Sequence, residues 1–240
     1  DAGDLLGAAG LLDASLAHGF GTLGGGNHFL ELQVVDDVLD TGKAERLGLA
    51  KDQLCLLVHS GSRNHGARIF NGIEESWRYG FASDSDEAHA YLQLHDEALG
   101  WARLNRDHIA QRAADALRCD LRLLCDSVHN ALEKQSGAWL HRKGAAKPDG
   151  AGLAPLAGSR ESLSYLLDAS DMPSNALASL SHGAGRRYDR SSMHGRIRKT
   201  KSGLASMRRT HFGGQVICDD PSWNRLLSMD DGPVFSSADL

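Results

Sequence analysis

At 240 residues, with 41% hydrophobic and 24% charged side chains, the chain is long enough to bury a substantial core and has the make-up of a globular protein. A formal charge of -5 excludes a uniformly basic nucleic-acid coat, so any contact with nucleic acid has to come from local patches. No apolar run approaches the length of a membrane span and no signal peptide precedes the first motif, so a cytoplasmic location is expected.

The first feature in chain order is Gly21-Thr22-Leu23-Gly24-Gly25-Gly26-Asn27-His28-Phe29-Leu30-Glu31. Its glycines clear side chains from a backbone that then presents an amide, an imidazole and a carboxylate together. Glycine lets main-chain N–H groups come close to a ligand, so such a turn suits an anion or a phosphate. Short apolar segments at 29–35 and 54–59 read as strands, the second leading into His59-Ser60-Gly61-Ser62-Arg63. Tyr91, Leu94, Ala98, Trp101, Leu104 and Ile109 then recur at helical spacing with no proline, which predicts a long amphipathic helix whose polar neighbours include Asp96, Asn105 and Arg106.

A further short strand at 138–141 carries His141-Arg142-Lys143-Gly144-Ala145, and 148–155, rich in glycine and alanine, reads as a loop. Ser181-His182-Gly183-Ala184-Gly185-Arg186 follows. It runs into a basic stretch at 186–190 and 196–201, with Arg208-Arg209 beyond, which is either a solvated face or a contact for substrate phosphates. A last strand is expected at 216–218. Strands and helices do not alternate regularly, so a mixed α+β fold is expected, in a single catalytic domain over residues 1–240 with its site at strand ends and glycine-rich loops. Cys55, Cys119, Cys125 and Cys218 show no CxxC pairing and are read as buried thiols.

Of the twelve histidines, His28, His59, His141 and His182 stand in the glycine-bearing runs. His65, His89, His95, His108, His194 and His211 lie in charged or helical surroundings, His18 carries no legible signal, and His129, beside Asn130, is read as a structural hydrogen-bonding residue. Histidine is the commonest metal ligand and can act as a nucleophile, while the arginines in three of the four runs match phosphate. Together the runs imply a metal-dependent phosphate chemistry.

These four runs, in this order, resemble the RtcB-type RNA ligases. Weaker agreement lies in Leu104-Asn105-Arg106-Asp107-His108-Ile109, His129-Asn130, Ala157-Gly158-Ser159-Arg160 with Ser164-Tyr165, and Phe212-Gly213-Gly214-Gln215-Val216-Ile217-Cys218. The Gly-Ser-Arg form at 158–160 looks more like a shorter bacterial branch associated with RNA repair than like the archaeal tRNA-splicing branch. The resemblance implies joining of RNA 3'-phosphate or 2',3'-cyclic phosphate ends to 5'-hydroxyl ends, with GTP and manganese as cofactors. It implies His28, His59 and His141 as manganese ligands, His28 on one ion and His59 with His141 on the other. His182 would be the nucleophile that takes GMP. For the nucleotide it implies Glu31 as the acceptor for the guanine edge, Phe29 packing on the base beside Leu30, Ser164 reading the base, and Asn27 on phosphate. His141, Arg142 and the loops Ala157, Gly158, Ser159, Arg160 and Gly183, Ala184, Gly185 would surround it.

Two features of the family pattern have no counterpart here: an Asp-x-Gly-Cys-type run that supplies a bridging thiolate, and a C-terminal lysine that contacts guanine. The expectation is that an N-terminal segment is absent from this sequence. Three readings stand: a GTP-dependent RNA ligase, an inactive RNA-end or nucleotide-binding protein, and a metal-dependent cyclic phosphodiesterase.

Overall fold

The computed structural model describes residues 19–185, except 26, 72, 74–76, 78 and 159–161. Ser159, Arg160, the basic stretch from Arg186 onward and the strand expected at 216–218 lie outside the described residues. The chain divides into two compact units, residues 1–124 and 125–240.

In the first unit, β1 (Phe29–Val34) pairs antiparallel with β2 (Leu54–His59), in a register that sets Phe29 opposite His59. Between them lies α1 (Thr41–Leu47), started by the Asp40 carboxylate accepting from the Lys43 amide and ended on Gly48. Helix α2 (Arg63–Asn71) follows β2. The predicted long helix is α3 (Asp86–Leu117). Ser85 caps it by accepting from the Ala88 amide, Asp86 and Glu87 complement the helix dipole in its first turn, and it stops on Arg118 in the left-handed conformation.

The buried face of α3 is made by Ala98, Trp101, Ala102, Asn105 and Ile109, which return every three to four residues. Trp101, fully buried, meets the edge of Phe20 at a centroid distance of 5.3 Å and stacks on His65 at 4.6 Å. That packing brings the chain just before the glycine run against the middle of the helix. Among the described residues no helix is long and apolar enough to cross a membrane.

In the second unit, β3 (Asn130–Gln135) and β4 (Ala138–Lys143) form a hairpin whose two turn residues, Ser136 and Gly137, both have positive φ, as a tight hairpin turn requires. Two shorter antiparallel pairs follow: β5 (Ala145–Ala146) with β8 (Leu180–Ser181), and β6 (Leu153–Leu156) with β7 (Tyr165–Asp168). The segment read as a loop at 148–155 therefore ends inside β6. Pro155 is tolerated there because a two-stranded ribbon leaves one edge without ladder donors. All strand pairs among the described residues are antiparallel, and with three helices in the first unit the architecture is mixed α+β.

The thiols differ from one another. Cys119 is exposed, contrary to expectation, whereas burial, reinforced by Asp149 and Asp126, pushes the Cys125 thiol up to about 11. Cys218 is outside the described residues.

Candidate active site

In the first unit Leu23 and Asn27, flanking the glycine run, supply the carbonyls that anchor two imidazoles. His28 donates from Nδ1 to the Leu23 carbonyl at 2.9 Å, and His59 donates from Nδ1 to the Asn27 carbonyl at 2.9 Å. A carbonyl only accepts, so in each ring the proton sits on Nδ1 and the lone pair of the neutral form on Nε2. This is the outer-shell arrangement that orients metal-ligating histidine. The two rings stand edge to face at 5.5 Å, and Phe29 adds a second edge contact to His59 at 5.4 Å. Burial holds His28 below its ordinary pKa; the Leu23 carbonyl pulls it back up in part, and the Arg63 charge lowers it again. The net shift favours the neutral ring.

Gly24 shows why glycine is needed in this loop. Its φ is +89°, and a Cβ there would lie 1.6 Å from Arg63 Nη1, so the guanidinium occupies the space that any side chain would fill. Arg63 also donates from Nε to Thr22 Oγ1 at 3.3 Å. Asn27, read as a phosphate contact, is exposed and offers its carbonyl to His59. Leu30 lies opposite Val58 on β1, and Glu31, opposite Leu57, accepts from Gln33 Nε2 at 2.9 Å.

In the second unit His182 donates from Nδ1 to the Gly144 carbonyl at 2.6 Å, which again assigns the neutral ring's lone pair to Nε2. The Gly144 amide is shared between the His129 carbonyl at 2.7 Å and Asn130 Oδ1 at 3.0 Å. Gly144 has φ +72°, and a Cβ on it would stand 3.4 Å from His182 Cε1. The His129 ring stacks on His182 at 4.3 Å, with ring nitrogens within 4.8 Å of one another. Sequence reasoning gave His129 a structural role. The signal that could have found it was the His129-Asn130 pair just upstream of the hairpin that carries Gly144.

His141 is exposed on β4, opposite Leu132. Its neighbour Arg142, expected at the nucleotide, is buried on the other face, and its guanidinium is committed to protein. It donates to Glu133 Oε1 at 2.6 Å, Ser179 Oγ at 2.9 Å and the Leu177 carbonyl at 3.0 Å. Leu177 and Ala178 both adopt positive φ, and Arg142 holds the carbonyls of this turn just ahead of β8.

The two loops expected around a nucleotide are joined by main chain. Ala157 bridges Gly183, the Ala184 amide donates to the Ala157 carbonyl at 2.8 Å, and Gly158 donates to Ser164 Oγ at 3.0 Å. Gly185 closes the described part of this segment.

The stretches that carry these imidazoles lie within a part of the chain that matches a family of nucleic-acid ligases. Residues 12–212 match the family described as tRNA-splicing ligase RtcB, and the chain belongs to that family. It is 40% identical over 206 residues to the RNA-splicing ligase RtcB2 of Escherichia coli, covering 83% of this chain and 53% of that protein. The RNA-splicing ligase RtcB of Mycobacterium bovis is 34% identical over 170 residues, covering 58% of this chain and 39% of that protein. The tRNA-splicing ligase RtcB of Methanococcus maripaludis is 27% identical over 221 residues. The chain thus spans about half the length, or less, of these relatives.

Proposed function

We propose that this chain carries the catalytic region of a GTP- and manganese-dependent RNA ligase that joins 3'-phosphate or 2',3'-cyclic phosphate ends to 5'-hydroxyl ends. The observation that carries the reading is the Nδ1–H of His182 on the Gly144 carbonyl. A histidine nucleophile needs a fixed ring with a lone pair on its reacting nitrogen, and this bond supports the reading by holding the ring and leaving Nε2 as the lone-pair nitrogen of the neutral tautomer. His182 Nε2 would attack the α-phosphorus of GTP, forming an N–P bond while the α–β phosphoanhydride breaks and pyrophosphate leaves. The GMP would then pass to the RNA 3'-phosphate, a cyclic end having first been opened by water, and attack by the 5'-hydroxyl would form the phosphodiester and release GMP. The loops at 157–158 and 183–184, already clamped to each other, would hold the nucleotide, and the family resemblance reads Phe29 and Glu31 as base contacts.

The donor set fits a metal. His28 and His59 both present Nε2 with Nδ1 anchored, and neutral imidazole suits manganese together with oxygen ligands from nucleotide and water. Manganese, when bound, supplies Lewis-acid stabilisation of phosphate charge. In the second unit His129, and not the exposed His141, is the imidazole that lies against His182.

The test is covalent labelling of the whole protein. Incubation with manganese and α-labelled GTP should place label on the protein through an acid-labile, base-stable bond, and His182→Ala should abolish it. Binding of GTP without label would instead support a nucleotide-binding protein, and opening of a cyclic phosphate with no GTP requirement would support a phosphodiesterase.

A further inference from the structure

We infer that Asn105, on α3, is the positioning residue that fixes the His28 imidazole and joins the glycine run to the His59 loop. Asn105 is fully buried, which for an amide is costly unless every polar atom is used. It is used fully, and always on the two motif loops. Its Oδ1 accepts from the Gly21 amide at 2.7 Å, and the two N–H groups of its Nδ2 are shared among Ser60 Oγ at 3.1 Å and the carbonyls of Thr22 and Gly61 at 3.3 Å each.

The bonds continue to the ligand atom. With its Oγ accepting from Asn105, the Ser60 hydroxyl is turned to donate to the Leu23 carbonyl at 3.1 Å. That carbonyl is the one that receives His28 Nδ1–H. Asn105 therefore acts on the His28 tautomer through two intermediate groups, from a helix position 84 residues away from Gly21. Arg106 and Arg112 brace the same loops, donating to the Ser60 and Gly21 carbonyls at 3.2 Å each, but both stay outside the chain of bonds that ends on His28. The consequence for metal binding rests on the reading of His28 given above.

The experiment compares the wild-type protein with Asn105→Leu, which keeps the volume and removes both hydrogen-bonding functions. Two quantities are read: the His28 tautomer by ¹⁵N NMR of histidine-labelled protein without metal, and the affinity for manganese alone. In wild type His28 carries its proton on Nδ1. In the variant the ring should move to a mixture rich in the Nε2–H form, and manganese affinity should fall by about 10- to 100-fold, the usual loss when an outer-shell partner is removed. A folded variant that keeps the Nδ1–H tautomer overturns the inference. Should Asn105→Leu fail to fold, Ser60→Ala removes the intermediate hydroxyl alone, and the same tautomer shift is required of it. A wild-type protein that binds no manganese would refute the metal reading of His28, while the tautomer comparison would still decide the role of Asn105.

Discussion

In the first unit the histidines hang from loops that side chains of α3 hold in place, whereas in the second His182 is tied to a main-chain carbonyl at the end of a hairpin strand. Asn105, Arg106 and Arg112 reach across to the carbonyls and amides of residues 21–22 and 60–61. Gly144 needs no side chain of its own to receive His182, and its amide is held by β3. Side-chain struts from α3 make the first unit sensitive to substitutions far from any ligand, and the second depends on the special conformation of Gly144 and on Asn130 and Arg142, which hold the backbone around it.

The largest effect should come from Trp101→Ala. Trp101 is fully buried between Phe20 and His65, one turn before Asn105 on the same face of α3. Its truncation should cost about 3–5 kcal/mol of stability, read by chemical denaturation. It should also loosen the glycine run, seen as faster amide exchange at Gly21, whose N–H is buried on Asn105. Unchanged exchange at Gly21 in a folded variant would show that the loop does not depend on the packing of the helix.

A smaller effect is expected from Gly144→Ala, and it should be confined to the second unit. The left-handed conformation of Gly144 costs an alanine about 1–2 kcal/mol, and the new methyl would press on His182 Cε1 at 3.4 Å. Covalent labelling by GTP should fall while manganese binding at His28 and His59 is retained. Loss of both together would break the distinction between the two units.

Much of the fold is legible in the sequence because periodicity, glycine runs and histidines are local signals: β1, β2 and the core of α3 fall where periodicity puts them, and the motif residues His28, His59 and His182 are each anchored through Nδ1. What escaped is what depends on partners distant in sequence. Asn105 looked like one polar neighbour on an amphipathic helix, since nothing local says that it faces residues 21 and 60. His129 meets His182 only after the hairpin has turned and β8 has paired with β5. Arg142 lies beside His141 in one motif, yet strand alternation sends one to solvent and the other to the interior, and the sequence does not say which.

The smallest and sharpest test concerns the ion pair beneath that interior arginine. Burial alone raises the Glu133 pKa, but hydrogen bonds from Lys147 and Arg142, and their charges, outweigh it and hold the carboxyl below its usual 4.5. A carboxyl depressed in the folded state adds stability that is fully present above 4.5 and is lost as pH falls through the folded value. Glu133→Gln should therefore be less stable than wild type at neutral pH, with the difference shrinking on acidification until the two denaturation midpoints meet. Because Arg142 holds the Leu177–Ala178 turn ahead of β8, the same variant should slow GTP labelling of His182 modestly at neutral pH and leave manganese binding in the first unit unaltered. Parallel stability curves that never converge would mean that Glu133 contributes through packing and not through its charge.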